Sequence, residues 1–168
     1  VTVMSNLGFF RCCEEKGITA VSTKVGDRYV LESMVKNGYA IGGEQSGHII
    51  FLQHATTGDG QMSAIKLLSA CREKGWKLSR LAGVMERYPQ VMLNVRATAE
   101  QKAKYTADEA LAAEIRAAGE SLGRDGRVLV RVSGTEPLLR VMVEVRDFDT
   151  INRLAVELAE KIKSAIAE

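Results

Sequence analysis

A chain of 168 residues has room for one ordinary domain or two small ones, and a hydrophobic content of 46% is enough for real cores. Its charged residues make up 26% of the total and balance to a net +2, so no basic stripe for nucleic acid or for a membrane surface is expected. No apolar run approaches membrane-spanning length, no charged segment leads into a hydrophobic one at the start, and Cys12, Cys13 and Cys71 are odd in number without metal-ligand spacing, which fits reduced thiols in the cytoplasm.

Residues 1–4 read as the end of a strand with no initiator Met, as if the chain were part of a longer one. Ser5 or Asn6 can cap a helix running to Lys16, with Leu7, Phe9, Phe10 and Cys13 inward and Gly17 at its end. Residues 18–22 read as a short strand. The turn at residues 24–28 leads into a helix carrying Tyr29, Val30, Met34 and Val35, closed by Asn37-Gly38. Residues 39–41 and 49–52 read as strands on either side of a polar loop at 42–48. Asp59 is an N-cap for a long helix with Met62, Ile65, Leu68 and Cys71 in its apolar stripe and Gly75 at its end. A shorter helix follows from Leu78 through Met85. Strands and helices alternate, so residues 1–88 read as an α/β domain, and Pro89 marks the boundary.

Residues 89–168 open with a strand at 91–95. Thr106 and Glu109 have capping-box spacing before a helix with Leu111, Ile115 and Leu122 inward. Residues 127–132 alternate Val128, Val130 and Val132 against Arg127, Leu129 and Arg131. Residues 139–145 alternate Leu139, Val141, Val143 and Val145 against Arg140, Met142 and Glu144. A terminal helix begins at Asp149 or Thr150 with Ile151, Leu154, Leu158, Ile162 and Ile166 along one face. This order implies a smaller α+β domain, an antiparallel sheet with helices on one side.

Two loops carry chemistry. In the loop at 133–137 Gly134 permits unusual backbone angles, Ser133 and Thr135 offer hydroxyls, and Pro137 fixes the exit. Arg131 and Arg140 flank it with the fork donors that suit phosphate oxygens. The loop at 42–48 sets the Glu44 carboxylate, the Gln45 amide, the Ser46 hydroxyl and the His48 imidazole between strand ends, a donor and acceptor set that fits a sugar. His48 is a candidate acid or base. As plain structure, both would be hairpin turns with solvated side chains.

Arg-Val-Ser-Gly-Thr-Glu-Pro-Leu-Leu-Arg at 131–140 resembles the C-terminal phosphate-binding loop of the α-D-phosphohexomutase family, and Gly-Glu-Gln-Ser-Gly-His at 43–48 resembles the sugar-binding loop of that family's third domain. The resemblance covers the chain: an N-terminally incomplete third domain over 1–88, and a fourth domain similar to the TATA-box-binding-protein repeat over 89–168. Gln45, the Val-Gly-Asp-Arg-Tyr-Val run at 25–30 and the phosphate motif look more like the glucosamine phosphate branch than the mannose and glucose phosphate branch. A mutase of that second branch, or a non-catalytic sugar-phosphate-binding module, stays open.

The resemblance implies that Glu44 and Ser46 hold sugar hydroxyls, that His48 lies near the reacting end, and that Lys24, Asp27 and Arg28 form a nearby substrate loop. Arg131, Ser133, Gly134, Thr135 and Arg140 would hold the non-transferring phosphate. The family's phosphoserine segment, of the type Ser-His-Asn-Pro, and its Asp-Gly-Asp metal loop do not occur in these residues. The resemblance therefore implies a hexosamine phosphate substrate, Mg²⁺ and a sugar bisphosphate activator for the complete enzyme, with no metal ligand and no activity in this chain alone. The partner would be the enzyme's own N-terminal domains, and a homodimer stays open. The product would feed UDP-N-acetylglucosamine and peptidoglycan synthesis.

Overall fold

A computed structural model describes residues 1–167 and divides the chain into two compact units, Val1–Arg87 and Tyr88–Glu168. None of the described helices is long and apolar enough to cross a membrane.

In the first unit α1 (Leu7–Glu15) starts at Asn6, whose side chain accepts from the Gly8 N–H at 3.0 Å, and it buries Leu7 and Cys13. The strand expected at 18–22 does not form. The only ladder contact here is a parallel bridge between Thr2 and Thr23, and Ile18 is exposed. A strand needs a continuous neighbour for its N–H and C=O groups; here the Ile18 N–H turns back to the Cys13 carbonyl, and residues 1–3 meet Val21 and Thr23. Helix α2 (Asp27–Asn37) ends at Gly38 in the left-handed conformation and turns Val30 and Met34 inward. Tyr29 and Val35 of the same helix are exposed.

Strands β1 (Ile41–Gly43) and β2 (Ile49–Phe51) form an antiparallel hairpin with Gly42 opposite Ile50. The first strand thus begins two residues later than expected, and Gly42 and Gly43 belong to it rather than to the loop. The hairpin packs on α2 through Ile50, Val30 and Met34. A Cβ at Gly42 would fall 2.4 Å from the Met34 sulfur, so only glycine lets helix and hairpin approach this closely. Helix α3 (Gly60–Lys74) is capped by Asp59 as expected, yet none of its residues is buried and Ile65 and Leu68 are exposed. Helix α4 (Leu78–Ala82) stops three residues short of Met85.

The second unit is a three-stranded antiparallel sheet of β3 (Gln90–Arg96), β4 (Gly126–Val132) and β5 (Leu138–Val145), in the order β3-β5-β4. Two helices, not one, join β3 to β4. Helix α5 (Ala99–Ala107) starts with a capping box of Thr98 and Gln101, and α6 (Glu109–Ser121) starts at Asp108. Thr106, expected as a cap, lies inside α5 with its hydroxyl donating to the Lys102 carbonyl at 2.8 Å. Helix α7 (Phe148–Ala167) is preceded by Asp147, whose carboxylate accepts from the Thr150 N–H at 3.0 Å, so the cap sits earlier than Asp149 or Thr150.

Leu139, Val141 and Val143 of the central strand have no accessible surface. They meet Leu111, Ile115, Ile151, Leu158 and Ile162 from α6 and α7. Each such side chain contributes about 1.5–3 kcal/mol by leaving water. The central strand β5 is therefore held firmly by the core, and it anchors one end of the loop between β4 and β5.

Candidate functional site

The first candidate is the loop at 133–137. Arg131 on β4 and Arg140 on β5 are direct cross-strand partners, on the face opposite the apolar core that Leu139 and Val141 enter. Like charges in such a pair destabilise a sheet by about 0.2–1 kcal/mol. The Nε atoms of both are buried and have no hydrogen-bond partner. Burial first, and then the Arg140 charge, pull the Arg131 guanidinium below its ordinary pKa. The two crowded cations keep unused Nε donors, and only Arg140 has a carboxylate, that of Glu136, against it, so the pair has charge to offer a further anion. Each guanidinium attracts a unit negative charge at 4 Å by about 4 kcal/mol at near-surface dielectric, before desolvation is subtracted.

The loop itself is tightly built. Ser133 is buried; its N–H donates to the Leu138 carbonyl at 3.0 Å, and its hydroxyl accepts from the Glu136 N–H at 3.2 Å. Ser133 therefore still has a hydroxyl proton to donate. The Glu136 carboxylate is paired with the Arg140 guanidinium. From α5 the Lys102 ammonium donates to the Ser133 carbonyl at 2.8 Å and to the Glu136 carbonyl at 2.5 Å. Gly134 does not take a positive φ, contrary to the conformational role expected of it. A Cβ there would meet nothing within 4 Å, so the position faces open space beside exposed Thr135.

The second candidate is the turn between β1 and β2. It is closed by the Glu44 N–H donating to the His48 carbonyl at 2.9 Å and by the Gly47 N–H donating to the Glu44 carbonyl at 3.0 Å. Gly26, with φ at 128°, occupies a conformation open mainly to glycine, and its N–H donates to Glu44 Oε1 at 3.0 Å. The turn is thereby tied to the N-terminus of α2, and the second Glu44 oxygen remains available to a hydroxyl.

His48 Nε2 accepts from the Gly58 N–H at 3.1 Å and lies 3.3 Å from an Asp27 carboxylate oxygen. One nitrogen cannot accept from an amide and donate to a carboxylate at once. The Gly58 N–H is fixed by the backbone, so Nε2 carries the lone pair and the proton sits on Nδ1. In this arrangement His48 links the start of α2 to the turn before α3, and its Nε2 is already engaged as an acceptor.

Of the residues read from sequence, Glu44, His48 and Asp27 come together in the first unit, and Arg131, Ser133, Thr135, Gly134 and Arg140 in the second. Ser46 and Lys24 are exposed. Arg28 is not aimed at the turn; its Nε pairs with Glu32 at 2.8 Å one helical turn further along α2. The backbone donors of Gly26 and Gly58, and the side chains of Lys102 and Glu136, were not read as site residues. Gly58 sits in a Gly-Asp-Gly run that could have suggested a close approach, and a Cβ there would come within 2.6 Å of the His48 ring. Lys102 has no signal in the sequence.

The profile described as phosphoglucomutase/phosphomannomutase, alpha/beta/alpha domain III matches residues 1–88, and that of the C-terminal domain of the same family matches residues 92–161. A phosphoglucosamine mutase of Thermoanaerobacter sp. (strain X514) is 56% identical over 162 residues, covering 96% of this chain and 36% of the relative. One of Ruminiclostridium cellulolyticum is 52% identical over 166 residues, covering 99% and 37%. The chain thus spans about a third of the length of these relatives. Among solved structures, the fold matches an Aspergillus fumigatus N-acetylphosphoglucosamine mutase with a TM-score of 0.83 at 19% identity, over 98% of this chain and 38% of the other. A structure of the Aspergillus fumigatus enzyme in complex with GlcNAc-6P and magnesium matches at 0.79, also at 19% identity and with the same coverage.

Proposed function

Because the chain belongs to the phosphoglucomutase/phosphomannomutase family, we propose that it is the sugar-recognising and phosphate-holding part of a phosphoglucosamine mutase, which interconverts glucosamine 6-phosphate and glucosamine 1-phosphate. The observation that carries this reading is the cross-strand pair of Arg131 and Arg140, whose buried Nε donors have no partner. A phosphate dianion supplies the acceptors that both lack and the counter-charge that Arg131 lacks, since Arg140 is already paired with Glu136. Phosphoglucosamine mutases at 56% and 52% identity support the choice of sugar.

The work divides by chemistry. The cradle at 131–140 reads charge and shape, so it accepts a phosphate on either end of the sugar, which suits a reaction that passes through a bisphosphate and returns the other phosphate. Glu44 and Ser46 read hydroxyls, and Gly26 holds the Glu44 carboxylate in register for that task. His48 and Asp27 stand beside them, with His48 acting first as a tether through Gly58. The phosphoryl donor is a serine outside these residues. By the family resemblance, the Mg²⁺ ligands also belong to the rest of the protein. The reaction would be cytoplasmic and would feed amino-sugar nucleotide and peptidoglycan synthesis.

The test is an NMR titration of the chain with glucosamine 6-phosphate and with glucosamine. The phosphate should shift the amides of Gly134 and Thr135, and the free sugar should not. Arg131→Ala should abolish the response. Glu44→Ala should keep it, and in the complete enzyme should lose discrimination between epimeric sugar phosphates, because only hydroxyl contacts sense the epimer. An equal response to unphosphorylated glucosamine, or a titration unaffected by Arg131→Ala, would overturn the assignment.

A further inference from the structure

We propose that Lys102 is a positioning residue of the phosphate cradle, one that turns the loop's carbonyls away from the anion and its amides toward solvent. The inference rests on the phosphate reading above and adds a residue from α5, a helix outside the loop motif.

The geometry is specific. The Lys102 Nζ reaches the Ser133 carbonyl at 2.8 Å and the Glu136 carbonyl at 2.5 Å, the first and last polar residues of the turn before Pro137. Among the described residues there is no cis peptide, and in a trans peptide the C=O and N–H point to opposite sides. With the Ser133 carbonyl held on the α5 side, the Gly134 N–H must face the other way. Among the described residues neither the Gly134 nor the Thr135 N–H has a hydrogen-bond partner. Two amides are thus left free beside the open space over Gly134. The Glu136 carbonyl belongs to the peptide bond of Pro137, which has no N–H, so the second bond from Lys102 fixes the turn without using up a donor.

The electrostatics run the same way. Carbonyl oxygens aimed at a phosphate would repel it, and here two of them are turned aside and neutralised by an ammonium. The charge of Lys102 stays close to the site while two of its three protons are spent on the backbone. Glu136 completes the arrangement: its N–H holds the Ser133 hydroxyl, and its carboxylate occupies Arg140.

The experiment compares the wild-type chain with Lys102→Met and Lys102→Arg in titrations with glucosamine 6-phosphate, read at the Gly134 and Thr135 amides. Methionine keeps the aliphatic stem and removes the donors; arginine keeps a cationic donor. Lys102→Met should weaken binding at least tenfold and remove the Gly134 shift, while the amides of β5 keep their resting positions. Lys102→Arg should recover most of the response, which a purely packing role would not predict. A wild-type response that survives intact in Lys102→Met overturns the inference alone. A wild-type chain that does not respond overturns the phosphate reading and this inference with it.

Discussion

Replacing Arg131 by methionine should have opposite consequences in the presence and absence of phosphate. Without ligand, the substitution removes a like charge directly across the ladder from Arg140 and a buried Nε with no partner, while a flexible apolar stem still covers the strand. The expected change in stability is therefore zero to a gain of about 1 kcal/mol. With glucosamine 6-phosphate at tenfold its dissociation constant, the wild type gains about 1.4 kcal/mol by mass action. For a unit of roughly 80 residues that is a rise in melting temperature of roughly 6–11 °C. Arg131→Met should lose nearly all of this rise. Scanning calorimetry on both proteins, with and without the ligand, resolves the transition that phosphate moves. An Arg131→Met chain that melts several degrees lower in plain buffer, and still shows the wild-type rise with ligand, would mean that the arginine holds the sheet rather than the anion.

Gly58→Ala should push the His48 ring out of place, since the new methyl would sit 2.6 Å from ring atoms; the His48 ring resonances should move, and urea unfolding should show a loss of about 1 kcal/mol for the broken Gly58 contact. Leu139→Ala, at a central position with no accessible surface, should cost about 2–5 kcal/mol in the same assay. The Thr150 hydroxyl and then its amide hold the Asp147 carboxyl below its ordinary pKa. Its contribution is therefore present above the usual carboxylate range, near pH 4, and is lost as pH falls through the lowered value. Asp147→Ala should lower stability at neutral pH and converge with the wild type in acid, as read by unfolding at a series of pH values.

The second unit was the more legible in sequence, because its strands alternate and alternation is local. Leu139, Val141 and Val143 announced a buried face, and they are buried. The same pattern put Met142 and Glu144 on the opposite face, and there too neither has appreciable exposure, with Glu144 2.6 Å from Arg127. Period-two patterning separates faces; it does not tell a central strand from an edge. In the first unit the expected strand at 18–22 failed because strand formation depends on a neighbour, which no local pattern reports. Arg28 was read with its loop, but a glutamate four residues on is a closer partner for a helical arginine. The two site loops stood out through residue type alone. The contacts that shape them, Gly26 to Glu44, Gly58 to His48 and Lys102 to the turn carbonyls, span 18, 10 and up to 34 positions and could only be found in three dimensions.

The strand order gives the two arginines unequal footing. Arg140 rides on β5, hydrogen-bonded on both sides, whereas Arg131 rides on β4, which has a neighbour on one side only. Brief local openings of the sheet should begin at β4, so amide hydrogens there exchange with deuterium sooner than those of β5. The anion pocket therefore has one fixed jaw and one that can give, and a phosphate bridging the two arginines would act as a clasp, slowing exchange along β4 while leaving the already protected β5 almost unchanged.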